Sequence, residues 1–329
     1  MRDFDRRTTS EAESATLASL ATLRDAPDDQ VASVLDAVVA PLPLKIQVQT
    51  QTRCNAACVM CPYPEVAGAQ DFVHTQMEES LYRDLLAQLA GQPVERFSPF
   101  LMNEPLLDRR LERWLALARE ALPATTLGLF TNGAALTAAR AQALADAGLD
   151  ELCVSVHGFD SDTYGAVMVG LSYDRIMAQL RSVVELHGAG ALGRLRLQIV
   201  TGDTPMVRTK ASAPPDWLAP HVLLKGFSNE RTVSAAPTTG PMPESPPLPG
   251  IRPLCQRPFV KLYVLADGAC VMCNCDWRRR VVLGRLGETS LAEIWRGQAY
   301  RDLRTSHVRM RFAAEHPCHG CDYPWMVDV

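Results

Sequence analysis

Six apolar runs that read as strands alternate with amphipathic helical patterns, and this alternation limits the fold more than any other feature of the chain. The strand-like runs cover 45–50, 96–102, 126–130, 151–156, 194–200 and 221–227; helical spacing of apolar residues covers 77–90, 111–121, 137–147 and 173–187. Strands separated by helices pair in parallel, because a parallel pair needs a long crossover between its members, and the crossovers are right-handed. The expected fold is therefore α/β: a partial (β/α)6 TIM-like barrel with a small C-terminal α+β domain behind it. In such a barrel the functional side chains gather at the C-terminal ends of the strands.

The first strand runs into a cysteine-dense loop. Cys54, Cys58 and Cys61 are spaced C-x₃-C-x₂-C. Four thiolates normally hold an iron–sulfur cluster, so three leave one iron open to a ligand. A structural zinc site would want a fourth protein ligand nearby, and the stretch after Cys61 offers only His74 at loose spacing. The spacing resembles the signature of the radical S-adenosylmethionine (SAM) superfamily. In that family the open iron of a 4Fe–4S cluster chelates SAM, and reductive cleavage of SAM yields a 5′-deoxyadenosyl radical. The resemblance continues along the strand ends. Asn103-Glu104-Pro105 stands where the family has a Gly-Gly-Glu-type motif for the SAM amino group, with Met102 and Asn103 in place of the glycines. Thr131-Asn132-Gly133 and Ser155-Val156-His157-Gly158 resemble the segments near the SAM ribose and methionine, which implies contacts from Asn132, Ser155 and His157. Met60 takes the position where the family often places an aromatic residue against adenine. Read without the family, Glu104 is a solvated helix-capping residue and His157 a rim histidine satisfied by its neighbours.

The C-terminal segment is dense in cysteine again, with Cys255, Cys270, Cys273, Cys275, Cys318 and Cys321. The set Cys255, Cys273, Cys318 and Cys321, spaced C-x₁₇-C…C-x₂-C, resembles the auxiliary-cluster "twitch" domain of radical SAM enzymes, a shortened SPASM domain. A hairpin at Gly268 between runs at 260–265 and 269–273, and a helix starting at Ser290, belong to the same likeness. It implies a second 4Fe–4S cluster with four protein ligands; a zinc ribbon would use the same four cysteines. Cys270 points away from Cys273 on its strand, whereas Cys275 shares the parity of Cys273. Cys275 is thus either an alternative cluster ligand or a thiol that returns a hydrogen atom to a substrate radical. The likeness implies oxidation of a C–H in a small sugar, aminocyclitol or nucleoside, with the auxiliary cluster as electron acceptor. Epimerisation with Cys275 as donor and decarboxylation of a uronic-acid nucleoside are the alternatives; peptide maturation and a non-enzymatic iron–sulfur or zinc protein rank lower. A flavodoxin or ferredoxin is the implied electron donor.

Composition sets the remaining limits. At 329 residues the chain exceeds one typical domain. Expected boundaries are 1–43 for a helical lead-in, 44–231 for the barrel, 232–253 for a Pro-, Ser- and Thr-rich linker and 254–329 for the auxiliary domain. A net charge of −4 gives no reason to expect nucleic acid or an anionic membrane as partner. No run reaches the roughly 18 apolar residues of a membrane span, and the charged N-terminus lacks the apolar core of a secretory signal. Ten cysteines clustered in this way suggest metal ligation in a reducing cytoplasm.

Overall fold

The computed structural model describes residues 17–202, 212–225 and 254–321. The expected linker at 232–253 lies outside the described residues. The chain divides into two compact units, one of residues 47–227 with 265–267, the other of residues 1–46, 228–264 and 268–329.

In chain order, α1 (Asp28–Val38) precedes β1 (Lys45–Val48), α2 (Tyr63–Ala67), α3 (Glu79–Leu89), β2 (Arg96–Ser98), α4 (Leu111–Ala121) and β3 (Thr126–Thr131). Then come α5 (Ala138–Asp146), β4 (Glu151–Ser155), α6 (Ser161–Val167), α7 (Tyr173–Gly188), β5 (Arg196–Gly202) and β6 (Val222–Lys225). Strand order is β6-β5-β4-β3-β2-β1, and β2 through β6 pair in parallel with their sequence neighbours. This is the partial barrel that the alternation predicts. Its central strands are apolar on both faces, as parallel strands covered by helices must be: Leu127 and Leu129 on β3, and Leu152, Cys153 and Val154 on β4, are fully buried. The covering helices supply matching stripes. In α4 the buried residues Leu111, Trp114, Leu115 and Ala118 fall at i, i+3, i+4 and i+7. The short helices α2 and α6 carry no long periodic pattern and were not expected from the sequence; α6 is set by Asp160, whose carboxylate accepts the Thr163 N–H at 2.7 Å.

The N-terminal ends of the strands are locked by ion pairs. Glu151, at the start of β4, sits between Arg96 (2.5 Å) and Arg196. Asp150 pairs with Arg119 and, at 3.0 Å, with Arg194, and accepts the Leu127 N–H at 2.8 Å. One end of the sheet is thereby closed and held in register.

The other unit contains α8 (Arg257–Val260), β7 (Lys261–Val264), β8 (Ala269–Val271), β9 (Val282–Arg285), α9 (Leu291–Arg296) and α10 (Gln298–Arg309). β7, β8 and β9 form an antiparallel meander, and the β7–β8 turn needs Gly268 at φ +86°. Ser290 and Glu293 form a capping box on α9. Arg304 of α10 is buried against Trp295 and Tyr300 and donates to the carbonyls of Pro258 at 2.9 Å and Trp295 at 2.8 Å. α1 is part of the same fabric: Trp295 Nε1 donates to Ala40 O at 2.9 Å, and Arg309 pairs with Asp28. Among the described residues no helix is long and apolar enough to cross a membrane.

Glu151 gives a direct test of the lock. Glu151→Ala strands two guanidinium groups at the sheet's closed end. It should lower the unfolding free energy by about 3 kcal/mol, the low end for breaking a buried pair, because the Arg196 side chain is 55% exposed. Arg196→Ala should cost less than about 1 kcal/mol. Denaturant titration of both variants reads the difference, and equal losses would remove the asymmetry.

Candidate active site

The cysteine loop after β1 is held open, with its three thiols half-buried at the C-terminal end of the sheet. Its backbone docks on the end of α6 and the residues just beyond: the Ala57 N–H donates to Val169 O at 2.8 Å and the Val59 N–H to Val167 O at 3.0 Å. Tyr63, the first residue of α2, turns its hydroxyl back to accept the Cys54 N–H at 2.9 Å, and its own N–H points at Cys61 Sγ (3.5 Å). Cys58 Sγ rests 3.6 Å from Met168 Sδ. Burial pushes the Cys58 thiol up to about 12, and the proximity of Cys61 and Cys54 pushes the same way. A cation among the three sulfurs would reverse that repulsion and favour thiolates. Met60 is half-buried beside them.

Glu104 does not project as a solvated cap. It is 2% exposed, and its carboxylate is taken up by the protein: Oε1 accepts the Thr131 hydroxyl at 2.6 Å and the Leu106 N–H at 3.0 Å, and Oε2 accepts the Asn132 N–H at 2.7 Å. Burial raises its pKa, and those donors oppose the rise. Asn132 Nδ2 reaches the cysteine loop, donating to Asn55 Oδ1 at 2.8 Å, while its Oδ1 accepts the Ala134 N–H at 2.9 Å. Gly133 closes the turn at φ +76°, where a Cβ would lie 2.8 Å from Val154. Asn103 Oδ1 accepts the Leu101 N–H at 2.9 Å, but its Nδ2 is buried with no hydrogen-bond partner among the described residues. Thr201 Oγ1, at the end of β5, is likewise buried and unpartnered. Orphaned polar atoms of this kind cost about 1–3 kcal/mol each and are what a polar ligand would satisfy. Ser155 is half-buried at the end of β4, and His157 is buried two residues on.

In the other unit Cys255, Cys273, Cys275 and Cys321 lie together. Arg257 Nη1 donates to Cys273 Sγ at 2.8 Å and to Cys275 Sγ at 2.9 Å, and the Cys275 N–H approaches Cys273 Sγ at 3.3 Å. Burial would raise the Cys273 thiol, yet contacts with Cys275 and Arg257 hold it well below the ordinary thiol range. A thiolate is the form that binds iron. Cys318 stands apart from the four: its Sγ meets His307 Nε2 at 3.5 Å and Met272 Sδ at 3.7 Å. Cys318 and Cys321 nevertheless share one tight turn, with the Cys321 N–H 3.5 Å from Cys318 O. Cys270 is buried on β8 with Sγ 3.9 Å from Gly268 O. Among the described residues no group of three or more His, Cys, Asp or Glu side chains is gathered as for a single metal ion. A four-iron cluster takes its cysteines from the corners of a cube instead of around one point.

Residues 48–192 match the family model of the radical SAM superfamily, and residues 255–322 match SPASM, an iron–sulfur cluster-binding domain. The chain carries a radical SAM domain followed by an iron–sulfur cluster-binding domain. Over 281 residues this radical SAM enzyme is 22% identical to the S-adenosyl-L-methionine-dependent 2-deoxy-scyllo-inosamine dehydrogenase of Niallia circulans, covering 84% of this chain and 92% of that protein. It is 36% identical over 146 residues to the GTP 3′,8-cyclase of Mycobacterium ulcerans, covering 44% of this chain and 39% of the cyclase. Among solved structures, BtrN in complex with AdoMet and 2-DOIA superposes with a TM-score of 0.55 at 19% identity, over 82% of this chain and 88% of that one. Native anSMEcpe with bound AdoMet gives a TM-score of 0.57 at 12% identity, over 87% and 89%. These structural likenesses bear on the fold: a partial barrel followed by a small domain. The two matched domains imply a 4Fe–4S cluster with SAM and an auxiliary cluster.

Reading the sequence missed Asn55, Tyr63, Thr131, Thr201, Arg257 and His307. Their places depend on how the chain folds, and none stands in a spacing that marks it. Thr131 is the most testable. Thr131→Val keeps the shape and removes a hydrogen bond to a buried carboxylate, so it should lower stability by about 2 kcal/mol. Thermal or denaturant unfolding measures this, and an unchanged midpoint would mean Glu104 is not anchored as described.

Proposed function

We propose that this radical SAM oxidoreductase dehydrogenates a CH–OH group of an aminocyclitol or related small sugar. The observation that carries the reading is the presence of two sulfur sets of different kind. Three half-buried thiols stand in the loop after β1, and four others, Cys255 and Cys275 buried and Cys273 and Cys321 half-buried, lie together in the second unit with a fifth in the adjoining turn. The similarity over nearly the full length of the inosamine dehydrogenase supports the substrate class. When bound, the cofactors supply a 5′-deoxyadenosyl radical at the barrel and a one-electron acceptor in the second unit.

The chain's own residues prepare both places. Cys54, Cys58 and Cys61 hold the first cluster in a loop fixed by Tyr63, Asn132 and the 167–169 backbone. Asn103 Nδ2 offers a buried donor to SAM, and Ser155, His157 and Met60 line the same rim. Glu104 holds the rim's shape through Thr131 and Asn132. Cys255, Cys273 and Cys321 would hold the auxiliary cluster, with Cys318, in the turn it shares with Cys321, as the fourth ligand. The reaction takes one hydrogen atom, one proton and one electron from the CH–OH and leaves a carbonyl. Cys275 is 3% exposed and bonded to Arg257; a thiol so enclosed favours dehydrogenation over epimerisation with Cys275 as the donor. A ferredoxin or flavodoxin supplies the starting electron.

Anaerobically reconstituted protein given an aminocyclitol deuterated at the reacting carbon should place deuterium in 5′-deoxyadenosine and release a ketone lacking two hydrogens. Cys54→Ala should abolish SAM cleavage while about four irons per chain remain in the auxiliary site. An epimer of unchanged mass carrying a solvent deuteron would overturn dehydrogenation, and absence of SAM cleavage under strong reductant would overturn the enzyme reading altogether.

A further inference from the structure

We propose that Arg257 sets the reduction potential of the auxiliary cluster, holding it above the value that the cysteine ligands alone would give. This rests on the reading above that Cys273 and its neighbours hold that cluster. Arg257 is 5% exposed, and a buried guanidinium requires a counter-charge. Two sulfurs stand beside it: Nη1 lies 2.8 Å from Cys273 Sγ and 2.9 Å from Cys275 Sγ. Arginine keeps its charge at any working pH, so this is a fixed positive charge beside a ligand thiolate.

Reduction adds one electron, and hence one negative charge, to a cluster with its thiolates. A neighbouring cation and an N–H···S bond stabilise the reduced state more than the oxidised one, so both raise the potential. The electron in question is the one released when the substrate radical becomes a carbonyl, with its proton passing to a base. A higher potential favours that transfer. The Cys275 N–H, 3.3 Å from Cys273 Sγ, acts in the same sense.

The guanidinium is not a surface group free to swing away. It projects from α8, whose Pro258 carbonyl is fixed by the buried Arg304. Asp276, next in the chain to Cys275 and fully buried, has partners of its own: Oδ2 accepts the Val281 N–H at 2.9 Å and Oδ1 faces Arg280 at 3.5 Å.

The test is an anaerobic redox titration, followed by electron paramagnetic resonance, of the reconstituted full chain and its Arg257→Gln and Arg257→Lys variants. The auxiliary cluster of the Gln variant should titrate at a lower potential than wild type, that of the Lys variant in between, and the SAM-binding cluster should not move. Identical auxiliary potentials in all three proteins would overturn the proposal. If the Gln variant does not retain its cluster, wild-type protein labelled with ¹⁵N-arginine decides. A ¹⁵N hyperfine coupling in the reduced auxiliary signal, lost in Arg257→Lys, supports the contact, and its absence overturns it. Wild-type protein with iron for one cluster would instead show that the two-cluster reading itself has failed, and the proposal with it.

Discussion

The carboxylate of Glu104 joins three segments that would otherwise end separately. Its oxygens accept donors from the end of β3 and from the turn after β2, while its backbone N–H donates to Arg53 O and its carbonyl accepts from Gln51 Nε2. A buried carboxylate is costly unless its donors are fixed, and charge-assisted hydrogen bonds are among the strongest a protein makes. The cost of burying it is thus converted into a demand that β3, the β2 turn and the loop after β1 keep one arrangement. Asn132 passes that demand to Asn55, inside the cysteine loop. The closed end of the sheet is held in a similar way, by Asp150 and Glu151 among their arginines. Rigid ends on both sides of a parallel sheet leave a loop that can present three thiols in a constant geometry.

Much of this was legible in the sequence, for physical reasons. Strands buried on both faces and helices with one apolar stripe leave strong periodic marks, so β3, β4, α4 and α7 lie within a residue or two of where periodicity places them. The cysteine spacings were equally clear, because a cluster fixes which residue types must stand at which separations. Contact-dependent roles were not legible. Nothing local shows that the Glu104 carboxylate meets Thr131 and Asn132; that depends on where β3 ends. Arg257 reads as an ordinary charged residue until α8 turns it toward Cys273. Short helices such as α2 and α6 escaped because five or seven residues carry no readable period.

The second unit shows how a small domain can build a site for soft ligands. Its core is a three-stranded meander with α9 and α10, stabilised by Arg304 set over the rings of Trp295 and Tyr300. Against that frame the cysteines are buried or half-buried with basic partners close by, Arg257 beside Cys273 and His307 beside Cys318. Buried thiols alone would stay protonated; thiols beside cations can give up their protons, which iron requires. The barrel's cysteines follow a different rule. They are half-exposed, and Cys58 is kept from ionising by its neighbours as well as by burial, so the metal itself must supply the compensating charge.

The central claim is that one chain carries two clusters of unlike coordination, one open to SAM and one closed by protein. Electron paramagnetic resonance of the reduced, reconstituted protein, with iron and sulfide counted on the same sample, tests it most directly. The account predicts about eight irons and eight sulfides per chain, the content of two four-iron clusters, with two signals of which SAM perturbs one. A single signal with about four irons, or two signals both indifferent to SAM, would contradict it.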